Sequence, residues 1–255
     1  MSAYAQDIAI NLTRWLWRLR REPVTVAVDL AQPVLWLLLF GHLFSRASAG
    51  LGLRVTYLAF MTAGVVVMTV FNVTLAGGIE MMFDRETGML RRLMASPLHR
   101  SSLLIGRFLV VVLLGLAQAV IIVLAGAIMH VPVGASPAAI ALAFAVDVLL
   151  GSGIGIVSLV LAMILKSHGP FYAVIGFVSL PITFVSTAFA PLATMAPWLR
   201  AMASLNPLTY ATDAVRDLLL YHAPAAAVVP LMADLLVFDA LCLAVGLAVF
   251  RRALS

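Results

Sequence analysis

Six long apolar runs, at 24–44, 57–79, 103–129, 138–165, 170–189 and 229–250, constrain this chain more than any other feature. Each is about 20 residues or more, enough for a helix to cross a ~30 Å hydrocarbon core. Lipid offers no water to a free backbone N–H or C=O, so a spanning segment has to close its own hydrogen bonds, which leaves helices or closed barrels. Barrel strands are short and alternate apolar with polar residues; these runs are continuously apolar. The expected fold is all-α, one transmembrane domain over 1–255 with six transmembrane helices. Composition agrees. The chain is 64% hydrophobic and 11% charged, whereas soluble domains are about half apolar and about a quarter charged.

The ends and connections refine this. Within 1–23, Ile8, Leu12, Trp15, Leu16 and Leu19 recur at helical spacing, with Arg14, Arg18, Arg20 and Arg21 off that face. That pattern predicts an interfacial amphipathic helix. Arg20–Arg21 and Ala47–Ser48–Ala49 loosely mimic a signal peptide, but Glu22, Asp29 and Pro33 interrupt the start of the apolar run and argue against cleavage. With both termini cytoplasmic, the inner segments carry 12 of the 16 Lys and Arg residues and the outer segments carry 4. That bias favours this orientation. The net charge of +5 is then explained by loops lying on anionic lipid, and nucleic acid is not an expected partner.

The segment 80–102 holds more charge than a connector needs: Glu80, Asp84, Arg85, Glu86, Arg91, Arg92, His99 and Arg100. Asp84 to Glu86 suit a helix start and Arg91–Arg92 its end, as the helix dipole prefers. Leu90, Leu93 and Met94 form an apolar face at i, i+3, i+4. A solvated loop that only fixes topology needs Arg, but neither the acids nor an apolar face. The expectation is a cytoplasmic helix over about 84–95 that docks on another protein through Asp84, Glu86, Leu90, Arg91, Arg92, Leu93 and Met94.

The segment 190–228 is too polar, and too broken by Pro191, Pro197 and Pro207, to be a span. Asn206–Pro207 reads as an N-cap with proline in the first turn. The helix that follows turns Leu208, Ala211, Val215, Leu218 and Leu219 to one side, and Asp213, Arg216 and Asp217 to the other. Two short helices, re-entrant from the outer face or capping its mouth, fit better than an open loop. Pro191, Trp198, Asn206, Pro207 and Tyr210 belong to this outer region.

Some chemistry is missing. There is no GxxxxGK[ST], and the sole lysine, Lys166, has no glycine-rich lead, so the chain has no Walker A loop for ATP. The five histidines show no metal-ligand spacing, and Cys242 is the only cysteine. No cofactor, metal or catalytic residue is expected.

DRETGMLRRLMASPLHRSSLLIGR resembles the cytoplasmic coupling segment of type-2 ABC exporter permeases. FVSTAFAPLATMAPWLRAMASLNPLTYATDAVRDLLL resembles the outer signature that precedes the last span in that family, closest to its daunorubicin-resistance, multidrug-like members. The two stand in family order and the resemblance covers nearly the whole chain. It implies a non-catalytic subunit of an ATP-driven exporter in a bacterial inner membrane. Two permease copies, expected to be a homodimer, would work with two separate ATPase subunits that hold the ATP and Mg. It also implies that the second and fifth spans line the path.

On those spans, Thr69 and Asn72, and Ser179, Thr183 and Ser186 with Phe177 and Phe184, form stripes. Polar stripes in a span face protein or a pathway, although packing or bonding to the i−4 carbonyl explains any single one as well. Asp147 is an intramembrane acid with no visible partner. Gly151, Gly153 and Gly155 suit close helix packing. Drugs or similar amphipathic compounds are the expected cargo, with a lipid-linked glycan or lipid as the alternative. A membrane enzyme would need clustered acids, His or Ser at one depth, and a channel would need charged rings; neither is present. Replacing Arg91 and Arg92 with Glu is expected to leave insertion intact and to uncouple ATP hydrolysis from transport, read as substrate moved per ATP in vesicles.

Overall fold

The computed structural model describes residues 13, 17, 23–44, 50–88, 100–132, 135–165 and 167–254. The helices are α1 (Pro23–Leu43), α2 (Tyr57–Ala76), α3 (Ile79–Glu86), α4 (Arg100–Ile128), α5 (Pro137–Ile164), α6 (His168–Phe184), α7 (Pro197–Ala203), α8 (Pro207–Leu219) and α9 (Ala225–Leu254), with a 3₁₀ turn at Leu192–Thr194. Among the described residues there is no strand. Of the expected N-terminal helix, only Thr13 and Trp17 are described, and both are helical.

All six apolar runs are helical. Tyr57–Glu86, Phe108–Ile128, Pro137–Ile164 and Ala225–Val249 are long and apolar enough to cross a membrane, while Leu30–Leu43 and His168–Phe184 are shorter. The fifth run stops earlier than its hydropathy suggests. Pro181 lies inside α6 and the helix ends at Phe184. Beyond it, the Ser186 hydroxyl donates to the Thr183 carbonyl at 2.6 Å and accepts from the Ala188 N–H at 3.2 Å. This side chain turns the backbone out of the helix while satisfying its polar groups.

The bundle is arranged around α2. From Ala59 to Phe71 every residue is buried, as expected of a helix that is apolar all round. It packs against α1, α4, α5, α6 and α8. Three of its threonine hydroxyls bond within the helix: Thr62, Thr69 and Thr74 donate to the Leu58, Val65 and Val70 carbonyls at 2.8, 2.7 and 2.7 Å. At Gly64 a Cβ would lie 2.6 Å from the Ala188 carbonyl oxygen, so glycine is what lets the segment after α6 rest directly on α2.

The three glycines of α5 serve its close packing, as expected. Gly151 and Gly155 are one turn apart and share a face. Gly151 meets Thr74 and Val70 of α2, and Gly155 meets Phe108 of α4. Gly153 points the other way, to Phe238 and Asp239 of α9. In that seam the Ser152 hydroxyl donates to the Asp239 carboxylate. α9 is otherwise one-sided. It buries Val228 and Leu235 and exposes Leu236, Val237, Leu241, Leu243, Val245 and Leu247, a surface suited to lipid.

Because a Cβ at Gly153 would collide with the Asp239 carboxylate and the Phe238 ring, Gly153→Leu is expected to destabilise the fold by about 1–3 kcal/mol through overpacking. The measurement is thermal unfolding in detergent. Gly176→Ala, at a position with open space around it, is expected to leave the transition unshifted or slightly raised.

Candidate functional site

The charged segment begins as a continuation of the central helix. α2 ends at Ala76, the chain passes Gly77 and Gly78, and α3 follows. Ser158 of α5 bridges this joint. Its hydroxyl donates to the Leu75 carbonyl and accepts from the Gly78 N–H at 2.8 Å. A Cβ on Gly78 would strike the Ser158 carbonyl at 2.5 Å and the Phe171 ring at 2.9 Å. Glycine is required here by crowding, since neither glycine of the joint has a positive φ.

α3 lies on the turn between α5 and α6. Met82 is buried with Ala162 and Phe171. One guanidinium nitrogen of Arg85 donates to the Leu165 carbonyl at 3.2 Å and the Met163 carbonyl at 3.5 Å. This satisfies carbonyls that the end of α5 leaves free, and a cation there also suits the helix dipole. Glu86 Oε1 lies 2.7 Å from His168 Nδ1. The Phe83 ring covers that histidine, with centroids 3.9 Å apart.

The expected helix start at Asp84 to Glu86 is corrected: these residues form the last turn of α3, which ends at Thr87 and Gly88. The helix begins earlier because it continues α2, and it stops because Gly88 takes φ +72°, a conformation that favours glycine. An acid at a helix C-terminus opposes the dipole; the Glu86 carboxylate is offset by His168. Leu90, Arg91, Arg92, Leu93 and Met94 lie outside the described residues. Local sequence gives no sign of the His168 contact, because its partner is 82 positions away.

At the opposite end the bundle is closed by α7, α8 and the segment after α6. Asn206 caps α8 as its sequence suggests, its Oδ1 accepting from the Leu208 N–H at 3.0 Å. Its Nδ2 also reaches the Ile182 carbonyl at 2.6 Å and the Val185 carbonyl at 3.3 Å. One side chain therefore starts α8 and finishes α6. Pro207 is the first residue of α8. The Pro191 carbonyl accepts from the Thr194 N–H at 3.0 Å. Tyr210 donates its hydroxyl to the Ser204 carbonyl, and Trp198 is exposed.

Arg216 corrects the amphipathic reading of α8. Asp213 and Asp217 of the expected polar side are partly exposed, but Arg216 is only 4% exposed. One guanidinium nitrogen donates to Asp213 Oδ1 at 3.0 Å. The other reaches the Thr187 carbonyl at 3.0 Å and the Phe60 carbonyl at 3.5 Å. The guanidinium carbon sits 3.6 Å from the centre of the Phe60 ring, within cation–π range. Burial pushes the Asp213 carboxyl above the usual carboxylate range, and Arg216 pulls it back. Periodicity placed Arg216 beside Asp213 but had no means of showing that this side meets α2.

The polar stripes divide. Thr69 is buried in α2, and Thr183 and Ser186 are buried at the end of α6. Asn72 is exposed, as are Phe177 and Phe184. Phe184 stacks on Phe189 at 5.1 Å. Ser179 donates weakly to the Gly176 carbonyl at 3.4 Å. The hydroxyls of Thr69, Ser179 and Ser186 thus bond carbonyls three or four residues back, which is the local use of Ser and Thr in helices. Asp147 is buried, and its Oδ1 has no hydrogen-bond partner among the described residues; the same holds for both amide atoms of Gln118 in α4.

The chain has clear relatives. The model of the ABC-2 type transporter family matches residues 6–220. A putative transport permease ycf38 of Porphyra purpurea is 40% identical over 216 residues, 83% of this chain and 73% of that protein. The same-named protein of Cyanophora paradoxa is 36% identical over 217 residues, 84% and 74% of the two chains. The daunorubicin resistance ABC transporter permease protein DrrB1 of Streptomyces coeruleorubidus is 25% identical over 221 residues, 85% and 77%. Membership of this family implies a membrane and an ABC ATPase subunit as partners. A polytopic helical chain matched over most of its length by this family model belongs to the ABC-2 type transporter family and is a type-2 ABC permease subunit.

Proposed function

We propose that this chain is the membrane half of an ATP-driven exporter for hydrophobic or amphipathic compounds. It sits in a bacterial inner membrane with both termini and α3 in the cytoplasm, and α7 and α8 are re-entrant from the outer face. Two copies pair, and each takes one ATPase subunit. The observation that carries the reading is the anchoring of α3. It extends the central helix α2 through Gly77–Gly78 and is fastened to the α5–α6 turn by Arg85 and by Glu86–His168. A load applied just beyond Gly88 would reach α2, α5 and α6 together. That is what a subunit driven by another protein's ATP hydrolysis requires. Residues 89–99 supply the docking surface proper, with Leu90, Arg91, Arg92, Leu93 and Met94 as its contacts. The cargo assignment is supported by the DrrB1 relative, whose name ties that protein to daunorubicin resistance.

Two measurements test the reading. A tagged chain purified in mild detergent is expected to bring down an ATPase that carries Walker motifs and no membrane spans; purification alone sinks the proposal. In reconstituted complex, Glu86→Gln is expected to lower substrate moved per ATP by about two- to fivefold, the range that fits a partly exposed ion pair. The ATPase should still copurify. An unchanged ratio would remove Glu86 from the coupling route.

A further inference from the structure

Three contacts converge on the five residues that follow α6. Arg216 of α8 holds the Thr187 carbonyl, and the same guanidinium reaches the Phe60 carbonyl of α2 and lies over its ring. One residue on, the Ala188 backbone rests on Gly64 of α2. One further, the Phe189 carbonyl accepts the Tyr57 hydroxyl at 3.0 Å. Asn206 closes the ring by joining the start of α8 to the end of α6. Thr187, Ala188 and Phe60 are each at most 1% exposed.

We propose that Arg216 is a positioning residue that ties the outer ends of α2, α6 and α8 into one block, and that this block stays closed throughout transport. Opening the block is costly. A guanidinium withdrawn from two carbonyls, a carboxylate and an aromatic face leaves the buried Thr187 and Phe60 carbonyls unpaired together with its own charge. Arg is suited to the task because its planar fork serves partners in different directions while its face stacks. A joint meant to open in every cycle would be expected to use fewer or more exposed contacts. On the exporter reading, on which this second clause rests, the outward opening then forms beyond the block, where this chain meets its second copy.

The test uses the assembled transporter in permeabilised membranes. The native Cys242 is replaced by Ser, and Thr187→Cys is introduced as the probe; Arg216 itself bonds the backbone carbonyl of Thr187, which the substitution keeps. Labelling by a charged maleimide is followed at rest and during ATP turnover. The probe is expected to stay unlabelled in both. Adding Arg216→Met is expected to raise the labelling rate at rest by about tenfold or more, equivalent to ~1.4 kcal/mol of lost closure. If that variant fails to accumulate, Arg216→Lys takes its place. Its single ammonium cannot span the same partners, and a smaller but measurable rise is expected. Ala162→Cys, 1% exposed near the α3 end, is the control and should remain protected in every background.

Labelling of Thr187→Cys with Arg216 intact, at rest or in turnover, would overturn the closed block. Protection that survives both Arg216 variants would remove Arg216 from the tie. Labelling of both probes together would reduce Arg216 to general stability. The resting comparison needs no ATP, so it reads the tie even if no ATPase partner exists.

Discussion

α2 is packed on all sides, and a helix packed on all sides can approach its neighbours only as closely as its smallest residues and theirs allow. Gly64 admits the backbone of the segment after α6, and Gly151 of α5 admits Thr74 and Val70 of α2. Gly126 of α4 faces the Thr62 methyl at 2.8 Å, measured from the Cβ it lacks. Apolar surface is not a driving force between helices in lipid, so intimate packing of this kind has to supply the association. α1, α4, α5, α6 and α8 are placed by where α2 accepts them, α9 is placed by α5 and α8, and the charged segment inherits its position because α3 starts just after α2 ends.

The second constraint is the set of carbonyls that each helix leaves unpaired at its C-terminus. Water serves them at a soluble surface; here long-range side chains do. Asn206 takes those of α6, Arg85 takes those at the end of α5, and Ser158 serves both sides of the α2–α3 joint. Arg216 takes carbonyls from two separate segments. Each is a polar residue in or near the membrane with a structural task, and each links elements far apart in sequence. Polarity inside a membrane protein is therefore not by itself a mark of the transport path. Thr69 and Ser179, on the stripes of α2 and α6, bond only carbonyls of their own helices.

Periodicity and local chemistry made the helices legible: the apolar runs form helices, four of them long enough to span, and the Asn206–Pro207 cap and the glycines of α5 act where the sequence placed them. What sequence could not show was pairing at long range. Glu86 looked like a helix-start acid because nothing nearby indicated that α3 had already begun at Ile79 or that His168 would meet it. Arg216 looked solvated because a helical wheel sorts residues by polarity, and the wheel has no knowledge of a Phe60 ring waiting on another helix. Asp239 drew no notice in the last run, since only the fold brings Ser152 to it.

The threonines of α2 have a further mechanical consequence. Because Thr62, Thr69 and Thr74 spend their hydroxyls on their own helix, no hydrogen bond crosses from α2 to α4 among the described residues. That broad contact is held by packing, with Thr62 of α2 set in the notch at Gly126 of α4 and Val70 against Gly115. The seam between α5 and α9 is different, since the Ser152–Asp239 bond pins its register. The bundle thus has one seam held by shape and one held by a hydrogen bond as well. Any movement of α2 along α4 is expected to come in discrete steps from notch to notch, while α5 and α9 travel together.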